Sequence, residues 1–235
     1  EDYLMHFGSY GEGEGQFTWP NSVAVDSTGF VHVTDEWLNR ISVFDCDGKL
    51  TKTWGVHGHD KGQWDRPAGI IFDSDDNLLL VDSLNSRVQK FSNHGEFIST
   101  FGSFGDGPGN LNTPWGINLD ADGNIYVADW RNDRIQKFDS NGNYILQIGS
   151  SGHGDGGLRR PSGVAVDSDG YVYVADWGHD RVQVFDAKGT YVDQFNGECH
   201  GYSKWAQARM ASDPEGMAAQ RAVVTDFTVE RVFFQ

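Results

Sequence analysis

Short runs of alternating apolar and polar residues fill most of the chain, and each run ends in a turn rich in Asp, Gly or Asn. A period of two is typical of strands with one solvated face, and the runs are rich in the β-branched and aromatic residues that strands favour. The clearest stretch holds four such runs, at residues 164–167, 171–176, 181–185 and 191–195. Asp and Gly in the turns between them suit tight connections. This stretch therefore predicts a four-stranded antiparallel meander.

The same stretch recurs every 47 residues. The residues that mark this interval are Asp35, Asp82, Asp129 and Asp176, then Arg40, Arg87, Arg134 and Arg181, and Pro20, Pro67, Pro114 and Pro161. A repeat of about 40–50 residues with four short strands is typical of a β-propeller blade. We therefore predict an all-β fold, a β-propeller of four-stranded antiparallel blades, as a single domain over residues 1–235. The predicted spans are an outer strand and connector at 1–14 and blades at 15–61, 62–108, 109–156 and 157–201.

Three motifs of each unit resemble the NHL repeat. In the fourth unit they are Pro-x-Gly-Val-Ala-Val-Asp at 161–167, Tyr-Val-Ala-Asp at 173–176 and Asp-Arg-Val-Gln-Val-Phe at 180–185. The resemblance extends from residue 1 to about residue 200 and implies a propeller, usually of six blades. It implies less about function, because NHL-type propellers serve as protein or RNA scaffolds, as extracellular sensors and, more distantly, as lyases.

The two ends depart from the repeat. Residues 3–8 resemble an outer strand whose blade is otherwise absent, and residues 202–235 have helical character. The second segment is either a helical insertion or a degenerate fifth blade, in which Asp226 and Arg231 keep the five-residue Asp–Arg spacing found within each repeat. The composition favours the insertion. Four blades would then leave open edges, which need a missing segment or a partner, including another copy of the chain.

Charge and composition narrow the classes of partner. The net charge is −16 with a pI near 4.7, and we expect no nucleic acid, because phosphate neutralisation needs Lys and Arg. No apolar run approaches the length of a transmembrane helix, and the first residues do not resemble a signal peptide, so we expect no membrane insertion. Cys46 and Cys199 do not resemble a disulfide framework and are expected to be free thiols.

Tryptophans collect in the loops after the second strands and in the connectors between blades, which share one face of a propeller. We predict that this face binds a ligand through its tryptophans and through residues that break the repeat. The predicted ligand-binding residues are Trp37, Trp115, Trp130, Trp177, Arg131, His179 and Asn118. The alternative, in which the rings fill gaps between adjacent blades, remains open. The repeated Asp and Arg are predicted to be bridges that fix the loops rather than catalytic groups.

Histidines in the connectors are the candidate metal ligands. They are His57, His59 and His153, and a metal site would need three or four such groups to converge. We predict no cofactor. If these histidines converge, the bound ion would be zinc or calcium. Since no nucleophile or phosphate-loop motif is present, the sequence favours a non-enzymatic binding or scaffold propeller that recognises a protein, peptide or small molecule. The alternative is a metal-dependent propeller lyase or hydrolase with its site at the channel mouth.

Overall fold

A computed structural model describes residues 5–196, which belong to one compact unit. Blade 1 comprises β3 (Pro20–Val25), β4 (Val31–Asp35), β5 (Arg40–Phe44) and β6 (Leu50–Trp54). Blade 2 comprises β7 (Pro67–Phe72), β8 (Leu78–Asp82), β9 (Arg87–Phe91) and β10 (Phe97–Phe101). Blade 3 comprises β11 (Ile117–Leu119), β12 (Ile125–Asp129), β13 (Arg134–Phe138) and β14 (Tyr144–Ile148). Blade 4 comprises β17 (Pro161–Val166), β18 (Val172–Asp176), β19 (Arg181–Phe185) and β20 (Tyr191–Asn196).

Each blade is an antiparallel meander, with its strands paired in chain order. The first strands of successive blades, β3, β7, β11 and β17, pack against one another in series and form the inner wall. The predicted all-β propeller of four-stranded antiparallel blades is therefore confirmed. The tight turns follow from the sequence: in blade 3 the Asp120 carboxylate accepts hydrogen bonds from the backbone N–H groups of Asp122 and Asn124, and Gly123 supplies a φ of +80°.

The core consists of three apolar layers, one between each pair of neighbouring blades. Between blades 1 and 2, for example, Ile41 belongs to the same buried cluster as Leu78, Leu80 and Phe91. Alternation along each strand sends successive side chains to opposite faces, so a central blade contributes to two layers. Trp64 is fully buried in the first layer, and its indole N–H donates to the carbonyl of Asn39. Trp64 is thus a core residue and no part of an exposed tryptophan face.

The repeated Asp and Arg hold the loops together in three blades, as predicted. In blade 3, Asp129 accepts hydrogen bonds from the Nε of Arg134 at 2.8 Å and from the backbone N–H of Asn112 at 2.7 Å. Blades 2 and 4 repeat the Asp–Arg pair with distances of 2.7 and 2.8 Å. Burial raises the pKa of Asp129, while these hydrogen bonds and the Arg134 charge act in the opposite direction.

Blade 1 departs from this arrangement. Asp35 accepts backbone hydrogen bonds from Thr18, Trp37 and Leu38, and it makes no bond to Arg40. The Nη atoms of Arg40 donate to backbone carbonyls of the preceding connector, and its buried Nε lacks a hydrogen-bond partner. The repeated sequence therefore predicts an ion pair that this blade does not form.

The segments between the sheets differ in detail from the prediction. The predicted outer strand near the start is wrong for the described residues 5–8, and the strand of that region is β1 (Ser9–Tyr10), which pairs in parallel with β2 (Gln16–Phe17). A matching parallel pair, β15 (Ser150–Ser151) and β16 (Gly157–Leu158), closes the connector before blade 4. Single 3₁₀ turns at Trp130–Asn132 and Trp177–His179 follow the second strands of blades 3 and 4.

Two predictions lie outside the described residues: the helical or blade-like nature of residues 202–235 and the state of Cys199. Cys46 is exposed with a free thiol. Over residues 5–196, no helix is long and apolar enough to cross a membrane.

Candidate functional site

A cavity of about 700 Å³ opens at the centre of the face that carries the loops after the second strands. All four blades contribute to its wall. Three repeat positions supply most of the lining: the residue before the opening proline of a blade, the residue after that proline, and the residue after the second strand. The position before the proline supplies Arg66 and Thr113. The position after the proline supplies Asn21, Ala68, Trp115 and Ser162, and the position after the second strand supplies Glu36, Ser83, Trp130 and Trp177.

Three tryptophans form the aromatic side of the cavity. The rings of Trp115 and Trp130 meet edge to face with centroids 5.6 Å apart, and Trp177 follows at 6.5 Å from Trp130. Trp177 is 58% exposed, whereas the other two are half-buried. The 3₁₀ turns after β12 and β18 position Trp130 and Trp177, because each turn starts at its tryptophan. The arrangement offers aromatic faces and edges to an apolar group that enters from solvent.

A polar chain crosses the cavity from blade 1 to blade 3. The indole N–H of Trp115 donates to the side-chain oxygen of Asn21 at 3.1 Å. The Asn21 amide donates to Glu36 at 3.0 Å, and the Glu36 carboxylate pairs with Arg66 at 3.4 Å. Asn21 and Trp115 occupy the same repeat position in their blades, so one variable position supplies both partners of a bond across the channel.

Positive charge gathers beside the tryptophans. The guanidinium of Arg160 lies 4.8 Å from the Trp130 ring centroid, and that of Arg131 lies 5.8 Å from it. Among residues 5–196, neither guanidinium forms an ion pair within 4 Å, and both are held against the ring by cation–π attraction. The lining carries one carboxylate, Glu36, so the cavity is locally basic in a chain of net charge −16.

The structure brings together four of the predicted ligand-binding residues, Trp115, Trp130, Trp177 and Arg131, and leaves the other three outside the cavity. Trp37 stands second after its strand, where Trp130 and Trp177 stand first, and it packs against Trp19 instead. Asn118 alternates with Ile117 and Leu119, which pack toward blade 2, so it faces away from them.

Asn21, Glu36 and Arg66 line the cavity but are not among the predicted ligand-binding residues. Each occupies a repeat position whose residue differs from blade to blade, beside a proline or an aspartate that does not differ. Comparing the four blades position by position would have found them.

The connector histidines form two separate pairs. His57 and His59 have ring centroids 6.4 Å apart, and His59 also contacts the side chain of Asn85. His153 contacts His179 of the following loop, with 3.0 Å between Nδ1 of His153 and Nε2 of His179. Within residues 5–196, no group of three His, Cys, Asp or Glu side chains is arranged to hold a metal ion.

Two family models match parts of the chain: the NHL repeat at residues 158–185 and the SMP-30/gluconolactonase/LRE-like region at residues 58–151. Each match covers less than half of the chain. No curated protein is significantly similar in sequence.

Many solved structures share the fold. A streptogramin B lyase structure has a TM-score of 0.61 at 18% identity, covering 78% of this chain and 56% of that one. A virginiamycin B lyase from Staphylococcus aureus has a TM-score of 0.59 at 18% identity, covering 78% and 57%. A protein of unknown function from Bacteroides caccae has a TM-score of 0.59 at 17% identity, covering 78% and 63%. The chain thus spans 56–63% of the length of these structures, and identities this low establish the fold alone.

Proposed function

We propose that this NHL-type β-propeller is a binding module whose channel-mouth cavity takes an apolar, preferably aromatic, group that carries a carboxylate or similar anion. The ligand would be a small molecule, or a peptide or protein side chain of that chemistry. The observation that carries the proposal is the cavity of about 700 Å³, in which a tryptophan cluster meets the guanidinium of Arg131, which forms no ion pair within residues 5–196. That volume lies in the range of pockets that hold small ligands.

The tryptophans support the apolar half of the proposal. Trp177 is the most exposed of the three rings, and covering it would remove a large apolar surface from water. Tryptophan is also among the residues that most often dominate binding energy, since it buries much area with few rotatable bonds. Trp115 and Trp130 are already in contact, so this part of the site is ordered before a ligand arrives.

The arginines support the anionic half. Arg131 lines the cavity, and its guanidinium offers several N–H donors in a planar fork that suits a carboxylate. Arg66 is already paired with Glu36, which makes Arg131 the better candidate for a new anionic partner. The net charge of −16 opposes a long polyanion such as nucleic acid, while a single carboxylate would respond mainly to this local charge.

A pair of fluorinated probes tests both halves. We expect the ¹⁹F signal of 4-fluorophenylacetate to broaden in the presence of the protein, and that of the uncharged 4-fluorophenylacetamide to broaden much less. Arg131→Gln should abolish the difference between the probes, and Trp177→Leu should weaken binding of both. Trp37→Leu is the matched control, because Trp37 is an exposed loop tryptophan outside the cavity lining. Equal broadening by all variants, or for both probes, would contradict the proposal.

The metal-dependent lyase or hydrolase remains a weaker candidate. It requires the connector histidines to converge on the channel mouth, and neither His57, His59, His153 nor His179 lines the cavity. The lyases among the matched structures share the fold with this chain, which is an argument from fold-level analogy.

A further inference from the structure

We propose that His153 and His179 form a two-histidine site for a divalent transition-metal ion on the loop face of blade 4. Nδ1 of His153 and Nε2 of His179 face each other at 3.0 Å. Two nitrogens at that separation, each about 2.0–2.1 Å from one ion, would occupy adjacent positions of a zinc-like coordination shell. The proposal does not depend on the ligand-binding function of the cavity, because neither residue lines it.

The partner of His179 on its other nitrogen supports this assignment. Nδ1 of His179 lies 2.9 Å from the Oδ2 atom of Asp176, whose side chain is fully buried. Metal-binding histidines generally donate their second ring N–H to a carboxylate, which fixes the tautomer and directs the free lone pair toward the ion. Here the lone pair of Nε2 points at His153. The side chain of His179 is 13% exposed, so the ring is held in place, while His153 is exposed at the surface.

The site breaks the repeat. Blades 2 and 3 carry Asn85 and Asn132 where blade 4 carries His179. In those blades the amide donates both to the repeated Asp and to a connector carbonyl, that of Gly58 or Gly105. Asparagine thus satisfies the loop fully, and a histidine is not needed for the fold. Its presence in one blade, opposite a second histidine, adds a nitrogen ligand that the other blades lack.

When His179 is the neutral tautomer that donates Nδ1–H to Asp176, one proton lies between the two facing nitrogens in the absence of metal. With Nδ1–H of His179 donated to Asp176, Nε2 of His179 accepts from Nδ1–H of His153. When an ion enters, His153 takes the tautomer with its proton on Nε2, and both facing nitrogens present lone pairs. Neutral imidazole nitrogens suit zinc, nickel and copper(II) rather than calcium or magnesium. Two protein ligands leave positions on the ion for water or for an external ligand.

A metal titration with three proteins tests the site. The probes are Zn²⁺ and Ni²⁺, added to the full chain in competition with a chromophoric chelator. We expect one ion to bind to the wild type at least about tenfold more tightly than to His179→Asn, since even the loss of an outer-shell partner has an effect of that size. His179→Asn restores the residue of blades 2 and 3 and should leave the unfolding transition unchanged. The control is His59→Asn, because His59 has the same connector position but faces the amide of Asn85.

Nitrogen-15 spectra of the histidine rings give a second readout. On addition of Zn²⁺, Nδ1 of His153 and Nε2 of His179 should shift together, and the His59 signals should stay in place. Equal affinities of the wild type and His179→Asn would overturn the proposal. So would an equal loss in His59→Asn and His179→Asn, because binding would then be a property of surface histidines in general.

Discussion

The contribution of the blade 3 ion pair to the free energy of unfolding can be measured by comparison with blade 1, where the equivalent pair does not form. Arg134 and Arg40 occupy the same repeat position, and both donate through their Nη atoms to backbone carbonyls of the preceding connector. Only Arg134 also bonds the repeated aspartate, Asp129. Replacing either arginine by methionine keeps most of the apolar stem and removes the charge. The two variants therefore differ mainly in whether a buried carboxylate loses its cationic partner, and Arg134→Met also removes a hydrogen bond to the side chain of Gln147.

The expected magnitudes follow from burial. The Asp129 side chain is fully buried and that of Arg134 is 7% exposed. Removing one member of a buried pair generally costs about 3–5 kcal/mol, because the other charge stays buried without compensation. Arg40→Met should cost only its carbonyl hydrogen bonds, about 1–2 kcal/mol. We thus expect Arg134→Met to lower the unfolding free energy by about 1–4 kcal/mol more than Arg40→Met, which in a domain of this size corresponds to about 2–16 °C in Tm.

The pH dependence supplies an independent readout. Burial already raises the pKa of Asp129, and loss of the Arg134 charge should raise it further. A folded-state carboxyl with a raised pKa binds its proton more tightly than the unfolded chain, so stability falls as pH rises from the unfolded pKa through the folded one. Arg134→Met should therefore be less destabilised at pH 5 than at pH 8. Urea unfolding followed by tryptophan fluorescence measures both quantities, provided that the transition is two-state. A difference between the two variants of less than about 0.5 kcal/mol would refute the ion-pair account, because independent surface substitutions already scatter by that amount.

Two further predictions use the same assay. Gly116→Ala should destabilise the protein by about 1–3 kcal/mol, because its Cβ would lie 2.6 Å from the carbonyl oxygen of Ser162 in the neighbouring blade. Gly154→Ala, whose Cβ would meet nothing within 4 Å, is its control, and equal costs would show that the close approach is not limiting. Burial acts to raise the pKa of Asp120, but its hydrogen bonds, including that from Lys137, prevail and hold the pKa below its ordinary value of 3.8. Stability from this group is present above about pH 4 and lost as pH falls further, so Asp120→Asn should flatten the acid limb of the stability curve; an unchanged limb would contradict the assignment.

The repeat gave most of the fold in advance, for a physical reason. Each 47-residue unit contains its own strands and turns, so local alternation and the Asp–Gly turns are enough to place a four-stranded blade. The short parallel pairs in the connectors, such as β15 with β16, could not be predicted. Each is only two residues long and depends on how one blade is joined to the next.

The site was predicted only in part, because its residues occupy equivalent positions in the repeat but are different amino acids in different blades. Trp130 and Trp177 were predicted to bind ligand because they are loop tryptophans. Trp37 was predicted for the same reason, although it stands one residue further from the end of its strand. Glu36 occupies the position of Trp130 and Trp177 in blade 1 and was overlooked, since a single acidic loop residue in an acidic chain has no distinguishing feature. The contact of His153 with His179 joins a connector to a loop 26 residues away, and no local pattern indicates such a pair.

Apolar residues at one repeat position differ in burial, depending on whether another blade lies beside them. Val23, Ile70, Ile117 and Val164 occupy one repeat position and are all apolar. Ile70, Ile117 and Val164 are 4–9% exposed, because each faces the preceding blade, whereas Val23 is 62% exposed on the first described blade. Val25, on the same face, is 57% exposed. Blade 1 therefore carries an apolar surface suited to a neighbouring sheet where residues 5–196 provide none. Apolar residues at this repeat position are buried only where another blade packs against them.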